Sequence, residues 1–217
     1  MWVLLSHKLS MLTPCYDDGP RLEVIPVKQV SRGDSSNSYL VKLFNHLGTH
    51  VDAPYHFDEA GRRIASYSLE ELLFSRPLLV DLPKKEGELI TENDLRPYAA
   101  EIASADLLLL RTGFQALRES RPEVFMKRGP CLSSGAASFL RNFTGLRALG
   151  VDMISISSPI NREQGREAHR ILLRGRSFLI IEDMDLLDKP SKYMRVVVSP
   201  LLIEEVDSAP CTVLGET

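Results

Sequence analysis

The segment from His46 to His56 places the strongest constraint on how this chain can fold. It contains three of the five histidines in 217 residues, together with one aspartate. These polar residues all occupy even positions: His46, His50, Asp52 and His56. Alternate side chains of an extended segment point to one side, so the four groups are expected to converge. A helix is disfavoured, because Gly48 is a poor helix former and Pro54 cannot continue a helical hydrogen-bond ladder.

Imidazole and carboxylate groups together form a ligand set for zinc, manganese and similar divalent ions. The alternative is a polar surface loop, but the shared phase of the side chains favours a metal site. We predict that His46, His50 and Asp52 hold one divalent ion. His56 lies four residues beyond Asp52, and we predict that it is the general base and acid of a catalytic site.

The pattern His46-x-Gly48-Thr49-His50-x-Asp52-x-Pro54-x-His56 resembles the signature of the metal-dependent cyclase hydrolases. That family includes bacterial kynurenine formamidase and isatin hydrolase. Leu5-Ser6-His7 resembles the family's opening strand, and Gly150-Val151-Asp152 resembles its glycine–hydrophobic–aspartate segment, so the resemblance covers most of the chain. It implies a swivelling β/β/α fold and a homodimer or higher homo-oligomer.

The resemblance also implies further metal ligands near the end of the chain. In the family, a histidine on a late helix and a glutamate after the next strand join the metal site, and here these are His169 and Glu182. Asp52 would then bridge to a second ion, giving one or two zinc or manganese ions per chain. The two late residues are thirteen apart, one more than the family spacing, which leaves Asp183 and Asp185 as alternatives to Glu182.

A substrate contact is implied near the beginning of the chain. Thr13-Pro14-Cys15-Tyr16 resembles a segment that carries an aromatic substrate contact in kynurenine formamidases. The aromatic residue there is usually tryptophan followed by Pro-Gly-Asp, whereas Tyr16 is followed by Asp17-Asp18-Gly19. Tyr16 is therefore a candidate substrate-binding residue, and a loop tyrosine packed against the core is the equal alternative.

This ligand set suits a metal-dependent hydrolase of a small-molecule amide, and the resemblance implies an aryl formamide such as N-formylkynurenine as the first candidate. A metal ion lowers the pKa of bound water toward ~7 and polarises a carbonyl oxygen. The departure after Tyr16 keeps an isatin-like cyclic amide or a lactone as an alternative substrate. A non-catalytic protein that only binds a metal and a small molecule is another alternative, although it has no need of His56 as a base.

Composition excludes several other classes. The net charge of −3 gives no reason to expect nucleic acid or an anionic membrane as a partner. Three cysteines far apart do not form a disulfide framework. The apolar run Met1–Leu5 is too short for a signal peptide and lacks a basic flank, so we expect a cytoplasmic enzyme. No G-x-S-x-G, H-E-x-x-H or P-loop motif occurs.

We predict a single α/β domain over residues 1–217, with a mixed β-sheet core and outer helices. The four leucines within Asp106–Arg111 indicate a buried central strand. Alternation over Leu22–Val30 and Ser38–Phe44 is typical of a hairpin of half-buried strands. Ser68-Leu69-Glu70-Glu71 is a capping box that predicts a short helix through Phe74, and Glu163–Leu173 is the best amphipathic helix.

Overall fold

The computed structural model describes residues 1–217 and contains thirteen strands and six α-helices. The strands are β1 (Trp2–Leu4), β2 (Glu23–Lys28), β3 (Ser38–Lys42), β4 (His50–Asp52), β5 (Leu73–Phe74), β6 (Pro77–Asp81), β7 (Leu89–Ile90), β8 (Leu107–Arg111), β9 (Cys131–Leu132), β10 (Ala148–Val151), β11 (Leu179–Glu182), β12 (Arg195–Pro200) and β13 (Ser208–Glu216). The α-helices are α1 (Glu92–Leu95), α2 (Ala99–Ser104), α3 (Leu117–Ser120), α4 (Pro122–Lys127), α5 (Ser134–Arg141) and α6 (Arg162–Leu173). Short 3-10 helices lie at Tyr16–Asp18, Val30–Arg32, Pro54–His56, Ile64–Ser66, Arg96–Tyr98, Phe114–Ala116 and Pro159–Asn161.

A nine-stranded mixed sheet forms the centre of the molecule, in the order β5-β12-β13-β4-β11-β10-β8-β6, with β1 paired to β13. Strands β6, β8, β10 and β11 are parallel to one another. Strand β4 is antiparallel to both of its neighbours, β11 and β13. The α/β class and the mixed sheet predicted from the sequence are confirmed. None of the helices combines the length and the apolar character needed to cross a membrane.

The leucines of β8 connect two hydrophobic cores on opposite faces of the sheet. Leu108 and Leu110 belong to a core of 21 buried residues that includes apolar residues of α5 and α6. Leu107 and Leu109 belong to a core of 19 residues that includes residues of β12 and β13. Successive side chains of a strand point to opposite faces, so a strand covered on both faces must be apolar throughout. Each buried leucine contributes roughly 1.5–3 kcal/mol relative to an exposed one.

Helix α6 packs against the sheet through the apolar face that the sequence predicted. Ala168, Leu172 and Leu173 are fully buried in the first core. Gly165 faces the loop at Ser157, and a Cβ atom at position 165 would collide with the backbone and side chain of that serine. Glycine therefore allows a close approach of helix and loop, which brings the following turn of α6 toward β4 and β11.

The helix predicted from Ser68 to Phe74 is wrong, although its capping hydrogen bonds form. The Ser68 backbone N–H donates to Glu71 Oε2 at 2.9 Å, and the Glu71 N–H donates to Ser68 Oγ at 3.4 Å. The chain makes only a turn and then enters β5, where Phe74 pairs with Val196 of β12 and is fully buried. Pairing and burial of Phe74 therefore outweigh the local helix signal.

The hairpin of β2 and β3 forms as predicted, but its strands are not half-buried. They make a separate two-stranded sheet with no third strand. Every residue of β2 is exposed, as are four of the five residues of β3. The exposed apolar residues of the hairpin are Val24, Ile25, Val27, Tyr39, Leu40 and Val41. A two-stranded hairpin is only marginally stable by itself, so this arm lacks the cover that its alternating pattern indicates.

Candidate metal centre

The polar residues of the His46–His56 segment converge, but not from one continuous extended segment. Only His50–Asp52 is strand, and it forms the buried strand β4. Before it, the chain turns through Gly48, whose φ of +66° lies in the left-handed region that favours glycine. After it, the 3-10 helix at Pro54–His56 turns the chain back toward the strand. The structure therefore brings the four side chains together through a turn, a strand and a short helix.

Asp52 lies at the centre of the cluster and is buried. Its Oδ1 atom is 3.0 Å from His46 Nδ1 and 3.6 Å from His50 Nε2. Its Oδ2 atom is 3.9 Å from His169 Nε2, on α6. One carboxylate therefore faces three imidazoles, two from the motif and one from a distant helix.

Glu182 joins the cluster at the end of β11. It lies opposite His50 in the antiparallel pairing of β11 and β4. Its two oxygens are 3.4 Å from His50 Nε2 and 3.4 Å from His169 Nε2. Ser155 Oγ and the Ile156 backbone N–H both donate to Glu182 Oε1, at 2.9 and 2.7 Å, and hold the carboxylate in place.

The two alternatives to Glu182 have other partners. Asp183 accepts two hydrogen bonds from Arg118, at 2.8 and 2.7 Å. Asp185 accepts a hydrogen bond from Gln115 at 2.6 Å and pairs with Lys189 at 2.8 Å. The structure therefore brings Glu182, and neither of these aspartates, to the histidine cluster.

Three buried atoms of this cluster, namely His50 Nε2 and both carboxylate oxygens of Asp52, make no well-directed hydrogen bond, although Asp52 Oδ1 lies 3.0 Å from His46 Nδ1. Buried polar groups without directed hydrogen bonds are costly, and nearly all such groups in native proteins have partners. Potential ligand atoms within 4.8 Å of one another form two groups: His46, Asp52 and His56, and His50, Asp52 and Glu182. Nitrogen and oxygen ligands in these positions fit one or two divalent ions that share Asp52.

The grouping differs from the sequence prediction in two respects. His46 and His50, predicted on one ion, fall into different groups, and His56, predicted as a base, lies within reach of a ligand position. His169 Nδ1 donates to the carbonyl of Gly165 at 2.8 Å, which turns its Nε2 atom toward Asp52 and Glu182. A helix carbonyl thus orients this ring, as is usual for metal-binding histidines.

Electrostatic attraction within the cluster outweighs the cost of burial. Burial by itself lowers the pKa of His46, but Asp52 and Asp207 raise that pKa to about 10. Burial by itself raises the pKa of Glu182, but hydrogen bonds from His169 and His50 hold that pKa at about 2. His50 and His169 each lie 3.4 to 3.9 Å from both carboxylates, Asp52 and Glu182. A metal ion held there would compete with protons for the imidazole nitrogens, because ligating histidines must be neutral.

Asp207 is a member of the site that the sequence analysis missed. His56 Nδ1 donates to Asp207 Oδ2 at 2.6 Å, and His46 Nε2 lies 3.0 Å from the same oxygen. Asn45 Nδ2 donates to Asp207 Oδ1 at 2.7 Å. These two histidines hold the pKa of Asp207 far below its ordinary value, against the effect of burial. Asp207 directly precedes β13, and only the pairing of β13 with β4 brings it here.

A cavity of about 300 Å³ opens onto the cluster. Its lining includes His46, His50, His56, His169 and Glu182 from the cluster, and Tyr16, Phe44, Phe57, Ser157, Arg162 and Arg166 around them. Tyr16 lies in the 3-10 helix at Tyr16–Asp18, and its hydroxyl is 3.3 Å from Ser157 Oγ. The structure therefore brings the predicted substrate-contact residue to the same cavity as the predicted metal ligands.

A mixed α/β sheet with a buried imidazole–carboxylate cluster at the end of its central strands defines a candidate metal-dependent enzyme. The family model described as "Putative cyclase" matches residues 3–158. The chain belongs to this putative cyclase family, as the sequence signature predicted.

Several proteins are similar to this chain in sequence. A Haemophilus influenzae protein described as uncharacterized is 34% identical over 116 residues, which are 53% of this chain and 82% of that protein. Kynurenine formamidase of Bacillus cereus is 28% identical over 165 residues, 76% of this chain and 73% of that enzyme. Kynurenine formamidase of Geobacillus thermodenitrificans is 25% identical over 215 residues, 96% and 94% of the two chains.

Solved structures show the same fold. Isatin hydrolase A from Labrenzia aggregata superposes with a TM-score of 0.83 at 19% identity, covering 99% of this chain and 92% of that one. A predicted metal-dependent hydrolase from Bacillus stearothermophilus gives a TM-score of 0.79 at 23% identity, covering 99% and 97%. The predicted cyclase-like fold is confirmed.

Proposed function

We propose that this protein hydrolyses a small-molecule amide in a metal-dependent reaction, with an aryl formamide such as N-formylkynurenine as its substrate. The observation that carries the proposal is the buried Asp52 carboxylate, which makes no well-directed hydrogen bond and faces three histidines at the inner end of a cavity. The relatives named kynurenine formamidase, 28% and 25% identical to this chain, support the substrate class.

The proposed metal ligands are His46, His50, Asp52, His169 and Glu182. They would hold one or two ions, and Asp52 would be the ligand common to both where two bind. A divalent ion held there would polarise the amide carbonyl and increase the acidity of water in the site. We propose zinc or manganese, because imidazole and carboxylate ligands suit both ions. Elemental analysis of purified protein, before and after each metal is added, measures the identity and the number of ions. Protein that takes up neither metal would contradict this assignment.

His56 is the proposed proton carrier. Its Nδ1–H donates to Asp207, so Nε2 is the basic nitrogen, and the ring lines the cavity. His56 takes a proton from the water that attacks the carbonyl carbon, and it returns this proton to the nitrogen when the C–N bond breaks. The products are a carboxylic acid, formate in the case of a formamide, and a free amine. An aspartate behind a histidine in this way fixes its tautomer and stabilises its protonated form.

Aromatic side chains support a flat substrate. Tyr16, Phe44 and Phe57 all line the cavity. Aromatic rings favour offset or edge-on contacts with one another, so an aryl group bound here has several suitable surfaces. We propose Tyr16 as a substrate contact for this reason.

The deciding experiment is an assay of the metal-loaded protein on N-formylkynurenine, isatin and a small panel of cyclic amides. We expect formate release from N-formylkynurenine that disappears on chelation and returns with added metal. Ring opening of isatin without cleavage of the formamide would move the substrate to the cyclic amides. Metal uptake without turnover of any compound would favour a binding protein.

The chain is also proposed to work as a single domain, in a homodimer or higher homo-oligomer in the cytoplasm. β1 pairs with β13, so the first and last strands belong to the same sheet. The exposed apolar hairpin of β2 and β3 offers a surface that a second copy would cover. The three cysteines are free, as is usual in reducing compartments. Light scattering of the wild type and of Leu40→Glu measures the oligomer, and an unchanged mass would exclude the hairpin as the interface.

A further inference from the structure

We propose that Arg162 and Arg166 form an anion-binding subsite at the mouth of the cavity, so that the substrate is an amide that also carries a carboxylate. The proposal rests on amide hydrolysis at the same site and adds a specificity element to it. Both arginines line the cavity that contains the histidine cluster. Nothing in the metal-ligand pattern of the sequence points to them.

The two arginines are aligned with a proposed metal ligand on one helix. Arg162, Arg166 and His169 are spaced four and three residues apart on α6. Residues three and four apart lie on the same face of a helix. At 1.5 Å of rise per residue, Arg166 is about 4.5 Å and Arg162 about 10 Å along the axis from His169. The face therefore presents a metal ligand first and then two guanidinium groups.

Burial shows which end of this face is the inner one. The side chain of His169 is 4% exposed, whereas those of Arg162 and Arg166 are 41% and 48% exposed. The histidine thus lies inside and the arginines lie where the cavity meets solvent. A small substrate with its carbonyl at the cluster would extend its other end along α6 toward the arginines.

Arg166 is the less committed of the two guanidinium groups. Its only acidic neighbour is Glu163, at 3.6 Å, and that carboxylate is 84% exposed and does not line the cavity. An exposed pair of this kind contributes little. Arg162 is engaged with Asp17, which follows Tyr16 in the adjacent 3-10 helix. Arg162 therefore links the helix to the Tyr16 segment, and Arg166 keeps its donors available.

A carboxylate is the group that suits these donors best. A guanidinium presents a planar set of N–H donors that matches the two oxygens of a carboxylate, and it stays charged at every relevant pH. The acidic groups deeper in the cavity are paired with histidines or fit metal ions, so the counter-charges nearest the arginines are Asp17 for Arg162 and the exposed Glu163 for Arg166. This subsite favours an amino-acid-like formamide over a neutral cyclic amide.

The test compares two formamides that differ only in the carboxylate, N-formylkynurenine and its decarboxylated analogue N-formylkynurenamine, with the metal-loaded full chain. Removal of a charged hydrogen-bonding partner lowers affinity by about 10–100-fold. We expect Arg166→Ala to raise KM for N-formylkynurenine by about that factor, with a much smaller effect on kcat, and to leave N-formylkynurenamine within twofold. Arg166→Lys should recover part of the loss in affinity, because lysine keeps the positive charge but lacks the planar pair of N–H donors that matches a carboxylate.

Arg170→Ala is the matched control. Arg170 lies on the same helix and pairs with Glu167 at 3.0 Å, but it does not line the cavity. We expect unchanged kinetics on both compounds. Equal wild-type kcat/KM for the two formamides, or equal losses on both in Arg166→Ala, would overturn the subsite while leaving amide hydrolysis intact.

If neither formamide is hydrolysed, the proposed function fails, and binding alone decides the subsite. Calorimetry with anthranilate and aniline compares an aromatic carboxylate with its neutral counterpart. Binding of anthranilate that is tighter than that of aniline, and that Arg166→Ala abolishes, would support the subsite. Equal binding of both compounds to the wild type would overturn it.

Discussion

His50 and Glu182 face each other across the antiparallel pairing of β4 and β11, with His50 Nε2 3.4 Å from Glu182 Oε2. Their Cα atoms are partners in the strand register, so the sheet itself fixes the relation of the two side chains. The same pairing places Asp52 opposite Ile180. A paired strand, rather than a loop, therefore positions the side chains of His50, Asp52 and Glu182.

This relation predicts the effect of Glu182→Gln. The substitution keeps the size of the side chain but removes the charge and one metal-binding oxygen. We expect occupancy of one ion to fall, while an ion held by His46 and Asp52 remains, because Glu182 lies only in the other group of potential ligands. Elemental analysis measures the metal content, and Glu167→Gln on the exposed face of α6 is the control. Unchanged metal content would show that Glu182 is not a ligand.

His56→Ala tests the distinction between a base and a ligand. We expect the variant to keep its metal and to lose ~10²–10⁴-fold in kcat, the usual contribution of a general base. His56 is within reach of a ligand position beside His46 and Asp52, so metal analysis must accompany the kinetics. Loss of metal in parallel with activity would make His56 a ligand and leave the base unassigned.

Asp207→Asn tests the residue behind His56. An amide can accept from His56 Nδ1, but it cannot stabilise the protonated ring as a carboxylate does. We expect kcat to fall by about tenfold or more, with KM and metal content nearly unchanged. The nearby exposed Glu205→Gln is the control. A change in KM alone would contradict a positioning role through His56.

The elements that were predicted correctly are those whose pattern is local. The run of four leucines in β8 and the helical spacing of apolar residues in α6 each indicate burial, and each pattern lies within a single element. The His46–His56 signature is also local, and the family that it indicated is confirmed. The convergence of its side chains was predicted correctly, although the turn at Gly48 and the 3-10 helix at His56 were not.

The features that the sequence did not predict depend on pairing between strands that are far apart in the chain. Asp207 meets His56 across 151 positions of sequence, and no motif surrounds it. It reaches the site only because Ser208 pairs with Asp52 at the start of β13. The helix predicted from the Ser68 capping box does not form for a related reason, since the partner of Phe74 lies in β12. Alternation in β2 and β3 indicated half-buried strands, yet nearly every residue of both strands is exposed.

The metal affinity should depend on pH. In the metal-free chain the pKa of His46 is raised to about 10, and those of His50 and His169 are raised as well, because carboxylates face all three rings despite their burial. The His46 ring is therefore protonated at neutral pH, and any proton on these ring nitrogens must leave when a metal binds. The free protein binds more protons than the metal complex, so affinity should rise as the pH increases from 6 to 9. Competition with a chelator of known affinity measures the trend, and an affinity independent of pH would contradict it.

Tyr16 provides the test of the substrate-contact prediction. Its ring lines the cavity and its hydroxyl lies 3.3 Å from Ser157 Oγ, so removal of the ring should weaken substrate binding without displacing the metal ligands. We expect Tyr16→Ala to raise KM for an aryl formamide more than it lowers kcat, because stacking acts equally on the ground and transition states. Tyr16→Phe keeps the ring and removes only the hydroxyl, and it should retain most of the wild-type KM. An equal loss in both variants would assign the effect to the hydrogen bond with Ser157, and a fall in kcat alone would show that Tyr16 acts on the chemical step.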